Sequence, residues 1–242
     1  MARHSKWHNI QVRKGKMDAV RANVFTKLAR SITMAAKEGG GDPETNFSLR
    51  LALDKAKASN MPKDNIERAV KRGIGTSTGE AALEAVLYEG YGPAGVGILV
   101  DAVTDNKNRT TGEIKHVFST HGGSLVPPGG VQWMFERKGV VRLSSQYPVL
   151  SVQHPDLELA LIDAGADNIV AEEEGTIVYT AVERLQTMSR MLETHHVDIV
   201  DAGIEWLPKE KMEVEQETEQ RIMELLEAVD ALDDVREVYT NI

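Results

Sequence analysis

The pattern of apolar positions changes near residue 80, from helical spacing alone to β-rich runs interleaved with helices. Val20, Val24, Leu28 and Ile32 recur every fourth residue, with Phe25 and Ala35 beside them, and predict a helix over about 18–37. Gly39, Gly40 and Gly41 stop it, and Asp42-Pro43 begins a turn. Leu49, Leu53 and Ala56 face inward on a second helix over about 46–59, broken by Asn60-Met61-Pro62. Pro62, at the first helical position, opens a third helix with Ile66, Ala69 and Val70 on its apolar side and Gly73 as its stop. Three short helices make one small bundle.

Gly75-Thr76-Ser77-Thr78-Gly79 is a small-residue linker. Beyond it, 84–91 and 96–105 are β-rich runs joined through Gly92-Pro93-Ala94-Gly95, a hairpin signal. A helix is expected from Thr110 to His121, with Thr110-Thr111-Gly112-Glu113 as its start. Strands follow near 132–135 and 140–144, a helix over 157–164, a hairpin of 168–171 with 175–180, a helix over 182–195 and a strand within 198–206. The tail holds an acidic helix over 213–231 and a last strand over 235–239. The fold class is therefore α+β, with an N-terminal three-helix domain and two ferredoxin-like α+β domains. A ferredoxin-like unit needs two helices and four strands. Residues 84–126 supply one helix, and the tail supplies the missing one. This counting gives a helical domain over 1–79, an α+β domain of 80–131 plus 207–242, and an inserted α+β domain over 132–206.

Charge sharpens the division. The 242 residues carry a net −9, but residues 1–75 hold sixteen Lys and Arg against seven Asp and Glu, a balance of +9. Residues 76–242 hold twelve against thirty, a balance of −18. A basic end attracts a polyanion, and an acidic remainder discourages indiscriminate sticking. The absence of cysteine excludes disulfides, a thiol nucleophile and thiolate zinc sites. The charged N-terminus is not a secretory signal, and no stretch reaches the roughly 20 apolar residues of a membrane helix. The expectation is a soluble cytoplasmic protein without a membrane partner, monomeric or weakly dimeric.

Arg3, His4, Lys6, Trp7, Arg13, Lys14 and Lys16 form a basic arm with one aromatic. Cations neutralise phosphates and an aromatic face stacks on an unpaired base. Lys27, Arg30 and Lys37 project to one side of the first helix, and Arg50 and Lys57, seven apart, share a face of the second. These twelve residues are the candidate nucleic-acid contacts. Arg68, Lys71 and Arg72 crowd the end of the third helix, where the helix dipole alone accounts for them. Gly90-Tyr91-Gly92-Pro93-Ala94-Gly95 matches G-x-G-x-x-G, but a strand follows it where a dinucleotide site needs a helix N-terminus. The histidines lack metal spacing, and no acidic pair implies acid/base catalysis. No catalytic residue, metal or cofactor is expected.

Several segments resemble the YebC/PmpR family: His4-Ser5-Lys6-Trp7, Phe25-Thr26-Lys27-Leu28, Gly39-Gly40-Gly41-Asp42-Pro43, Asn60-Met61-Pro62-Lys63-Asp64, Tyr88-Glu89-Gly90-Tyr91-Gly92-Pro93 and Asp105-Asn106-Lys107-Asn108-Arg109-Thr110. The resemblance runs over essentially the whole chain. Arg3 departs from the glycine usual there and adds positive charge to the arm. The resemblance implies a helical domain followed by two α+β domains, and a non-enzymatic regulator of gene expression. It implies DNA as partner for a transcriptional regulator, or ribosomal RNA and the ribosome for a translation factor that relieves stalling at proline-rich sequences. Mitochondrial relatives are translational activators of cytochrome oxidase. Contacts to phosphate give affinity with little sequence information, and recognition of folded RNA relies on shape and stacking.

Overall fold

A computed structural model describes residues 21–75, 82–144, 155–172 and 175–242. The described residues fall into two compact units. One is Glu136–Leu207; the other joins the residues up to Phe135 with Pro208–Ile242.

In the larger unit, α1 (Arg21–Gly39), α2 (Phe47–Ala58) and α3 (Lys63–Gly73) form the bundle. Its core is Ile32, Ala35, Ala36, Leu49, Ala56, Met61 and Ala69. Asn46 caps α2 by accepting from the Leu49 N–H, and its amide donates to the carbonyls of Ala35 at 2.7 Å and Gly40 at 2.8 Å. One side chain thus closes two helix ends. Pro62 is the residue before α3 rather than its first turn. Gly73 also differs from its expected role as a stop. A Cβ there would meet the Thr33 carbonyl and lie 2.6 Å from the Ala36 Cβ. It is glycine so that α1 and α3 can touch, and Gly75, at φ +76, makes the turn.

The unit's sheet has the order β3-β1-β2-β8, with β1 (Glu84–Tyr91), β2 (Gly97–Thr104), β3 (Ser124–Val126) and β8 (Val235–Thr240). All its pairings are antiparallel. Ala94 and Gly95, both at positive φ, turn β1 into β2. Val96, Ile98, Val100 and Ala102 meet α4 (Lys107–Thr120) and α7 (Gln216–Asp230) through Ile114, Phe118, Ile222, Leu225, Leu226 and Val229. Val103, one position out of that alternation, packs instead with Met34 of α1 and with Leu83. Helices therefore cover both faces: α4 and α7 on one, the bundle on the other. Two expectations shift here. α4 starts three residues early, because Asn106 is its cap and accepts from the Arg109 N–H, while Thr110 is buried. Gln132–Met134 is a turn of 3₁₀-helix, not a strand.

The smaller unit runs β4 (Phe135–Ser144), α5 (Pro155–Asp163), β5 (Ala166–Glu172), β6 (Gly175–Thr180), α6 (Leu185–Thr194) and β7 (Ile199–Pro208). Its sheet order is β5-β6-β4-β7. That strand–helix–strand–strand–helix–strand succession is ferredoxin-like. The larger unit's sheet is also four-stranded with two helices, but its chain enters through a hairpin. At the centre of the smaller sheet, buried Arg142 donates to both carboxylate oxygens of Glu205, at 2.6 and 3.0 Å, and to Asp201 at 3.2 Å.

Candidate nucleic-acid interface

Seven of the twelve candidate residues, Arg3, His4, Lys6, Trp7, Arg13, Lys14 and Lys16, lie outside the described residues. The other five are placed. Helical spacing puts Lys27, Arg30 and Lys37 on one side of α1, and there Lys27 and Arg30 meet the chain's own acidic turn while Lys37 meets the residue before β1. The Lys27 ammonium lies 2.8 Å from the Asp230 carboxylate and also donates to the Asp230 carbonyl. Arg30 donates to the Asp234 carboxylate and, at 2.8 Å, to the Val103 carbonyl. Lys37 donates to the Leu83 carbonyl at 2.8 Å. Asn23 adds a bond to the Ala231 carbonyl at 2.8 Å. A phosphate reaching these cations would have to displace partners already in place. Periodicity locates a polar face but not what faces it.

Arg50 is half-buried, its guanidinium 5.3 Å from the Phe47 ring centre. Lys57 is exposed and pairs with Asp54 at 3.1 Å. Lys63 and Arg68 of α3, absent from the twelve, are exposed as well, with Lys63 3.7 Å from Glu67. Exposed i,i+3 and i,i+4 pairs of this kind are worth about 0.2–0.5 kcal/mol, so they leave such cations accessible.

Asp234 joins the bundle to the sheet. Its side chain is 3% exposed. It accepts from Arg30, from Arg109 at 2.6 Å, from Thr104 at 2.9 Å and from Thr110. Burial pushes its carboxyl up, but the Thr110, Arg109, Arg30 and Thr104 donors outweigh burial and hold it well below the usual carboxylate range. Arg109 is pushed up in turn by hydrogen bonds to Asp234 and Asp105. Arg30, Arg109, Glu113 and Ala231–Asp234 line a cleft beside this node.

Glu89 is a second buried carboxylate, 3% exposed. It accepts from the backbone N–H groups of Gly129, Val131 and Gln132, at 2.6, 2.7 and 2.8 Å. Burial raises its pKa, and the three donors more than offset that, leaving it lowered. Tyr91 donates to the Gly130 carbonyl at 2.8 Å, so the loop after β3 is tied to β1 twice. Tyr88 shares a hydrogen bond with Thr111 at 3.1 Å. Sequence reasoning passed over Asp234, and it took the Tyr88–Pro93 run as a strand entering a hairpin and as a family motif, with no role for Glu89 or Tyr91. The two motifs from 88 to 93 and from 105 to 110 build the interior joints of this unit.

Among the described residues no group of three His, Asp or Glu side chains gathers to hold a metal ion. No helix among them is long and apolar enough to cross a membrane.

Comparison with known proteins is consistent along the chain. Residues 5–76 match the model of the TACO1/YebC protein N-terminal domain, and residues 83–242 match that of the TACO1/YebC second and third domain. A protein of Thermoanaerobacter pseudethanolicus named "probable transcriptional regulatory protein" is 45% identical over all of this chain and 97% of its own length. A protein of Herpetosiphon aurantiacus with the same name is 46% identical, over all of this chain and 94% of its own. The crystal structure of a conserved hypothetical protein from Aquifex aeolicus superposes with a TM-score of 0.83 at 44% identity, covering 94% of this chain and 92% of that one. With both family models matched and full-length relatives at this identity, the chain belongs to the TACO1/YebC family.

Proposed function

We propose that this protein is a non-enzymatic, cytoplasmic nucleic-acid-binding regulator of gene expression, and that its basic N-terminal end is the binding end. The observation that carries the reading is the charge division, +9 over residues 1–75 against −18 over the rest. The name shared by the relatives supports a regulator and favours DNA as the partner. The contacts are to phosphate, made by the arm and by exposed cations such as Lys57.

One observation favours a second reading, in which the partner is ribosomal RNA. The polar face of α1 is turned onto Asp230 and Asp234, so the described part of that helix offers no row of cations to base edges. A protein that grips backbone and shape suits folded RNA.

Crosslinking in cells, with sequencing of DNA and RNA recovered from one sample, separates the two. Enrichment at discrete promoters establishes the transcriptional reading. Localised ribosomal RNA crosslinks to residues 1–75 establish the translational one. Replacing Lys6, Arg13, Lys14 and Lys16 by alanine is expected to flatten the salt dependence of binding. The log–log slope should fall by roughly 0.7–0.9 for each phosphate that the arm no longer neutralises. An unchanged slope removes the arm from the interface.

A further inference from the structure

Trp133 is 62% exposed, and its surroundings hold it still. Its indole N–H donates to the Gly130 carbonyl at 3.0 Å. Its own carbonyl accepts from the Lys209 ammonium at 2.7 Å, and the next carbonyl, of Met134, accepts from the Lys209 N–H at 2.9 Å. The residues just before it, Gly129, Val131 and Gln132, are the three whose N–H groups the buried Glu89 carboxylate collects. Gly130 is fixed once more, by Tyr91. Met134 packs onto Gly97, where a Cβ would come within 2.8 Å of its sulfur. The backbone on both sides of the tryptophan is thus anchored to strands β1 and β2.

Exposing an indole to water is unfavourable, and here its one polar atom is already satisfied. What it offers a partner is a flat π-face, preorganised, with a lysine beside it. The size of that surface selects the occupant. One largely exposed indole presents about 150 Å², whereas a stable protein interface needs about 800 Å² per partner. A single planar ring matches it.

We propose that Trp133 is a stacking platform for one unpaired base of the nucleic acid held by the basic end. The proposal rests on the nucleic-acid reading above. The sheet domain around Trp133 is acidic, so the platform does not recruit the polyanion. It acts on a strand already tethered by the N-terminal domain, where the second contact is intramolecular. The platform then adds preference for unpaired over paired strands, because a duplex offers no free base face.

The test uses the full chain and two fluorescein-labelled 16-nucleotide DNA single strands. One has ordinary bases. The other has abasic sites throughout, and so the same phosphates without ring faces. Binding is followed by fluorescence anisotropy. Trp133→Ala is expected to weaken binding of the ordinary strand about tenfold, within the range known for loss of one base stack. Trp133→Phe, which keeps a ring, is expected to weaken it less. Neither variant should alter binding of the abasic strand or the salt slope. If Trp133→Ala binds the ordinary strand as tightly as the unaltered protein, the platform is overturned while the nucleic-acid reading stands. Equal weakening on both strands also overturns it, since that marks a structural role. If the unaltered protein binds neither strand nor duplex DNA or RNA, the broader reading falls and takes the platform with it.

Discussion

Removing the Asp234 carboxylate tests whether the bundle is fastened to the sheet by charge. In Asp234→Ala the Thr104 and Thr110 hydroxyls keep each other, 2.7 Å apart, and Arg109, 43% exposed, can turn to water. Arg30 cannot do so easily, because its side chain is 18% exposed and it also donates to the Val103 carbonyl. Removing one member of a buried ion pair costs about 3–5 kcal/mol, and the freedom of Arg109 argues for the lower end. For a unit of this size each kcal/mol shifts Tm by about 2–4 °C, so a fall of roughly 6–12 °C is expected by scanning calorimetry. Arg30→Ala combined with Asp234→Ala should cost less than the two single changes summed, by at least about 1 kcal/mol. The pH dependence has a fixed sign. The folded carboxyl titrates below its unfolded value of about 3.9, so its contribution is complete above that pH and is lost as pH falls below it. The gap between the unaltered protein and Asp234→Ala should therefore narrow in acid. Strict additivity with Arg30→Ala, or a gap that does not change with pH, would refute the argument.

Three further outcomes follow from the other joints. Glu89→Gln is expected to cost about 2 kcal/mol and to speed hydrogen exchange at the Gly129, Val131 and Gln132 amides; unchanged exchange there would show that the carboxylate does not hold the loop. Gly73→Ala should destabilise the bundle by about 1–2 kcal/mol in denaturant melts, because the clash with Thr33 and Ala36 outweighs the better helix propensity of alanine. A more stable variant would mean that the two helices separate freely. Arg142→Met alone should cost about 3 kcal/mol or more and leave Glu205 buried without its cation. Adding Glu205→Leu should restore most of that in thermal melts, and a double variant no better than the single would contradict it.

Much of the fold is legible in the sequence because helical and alternating periods are strong signals over ten residues. Residues 96–105 read as a β-rich run, and Val96, Ile98, Val100 and Ala102 do pack on the face turned to α4 and α7, while Leu99, an odd position, is buried too. The strand Ser124–Val126 is too short to show a period, and the pattern passes over it. Gly73 reads as a helix stop because sequence records the absence of a side chain but not the neighbour that forbids one. Asn106 and Thr110 are both acceptable helix starts, and only burial separates them. The candidate interface is less legible for a related reason. Lys27, Arg30 and Lys37 share a face, as their spacing says, but their partners lie between 46 and 204 residues away along the chain. Local pattern carries no information across such distances. A lone aspartate such as Asp234 carries no local signal at all.

The route of the chain through its two units imposes an order on their completion. Glu136–Leu207 is continuous, whereas the other unit is finished only by Pro208–Ile242. During synthesis the bundle and the β1–β2 hairpin emerge first. They wait with β2 open along one edge, since β8 is its partner there. The same last residues bring Asp230 and Asp234, the anchors of Lys27 and Arg30. At roughly 5–20 residues per second the interval from residue 207 to residue 240 is about 2–7 s, long compared with the folding of a small domain. The internal unit should thus be native while the flanking one is still unfinished. On ribosomes halted with residues up to 215 exposed, a protease should spare 136–207 and cut within the bundle–hairpin segment. Residues 208–242 are a latch, and a stop before residue 230 would leave both the open edge of β2 and the cations Lys27 and Arg30 without it.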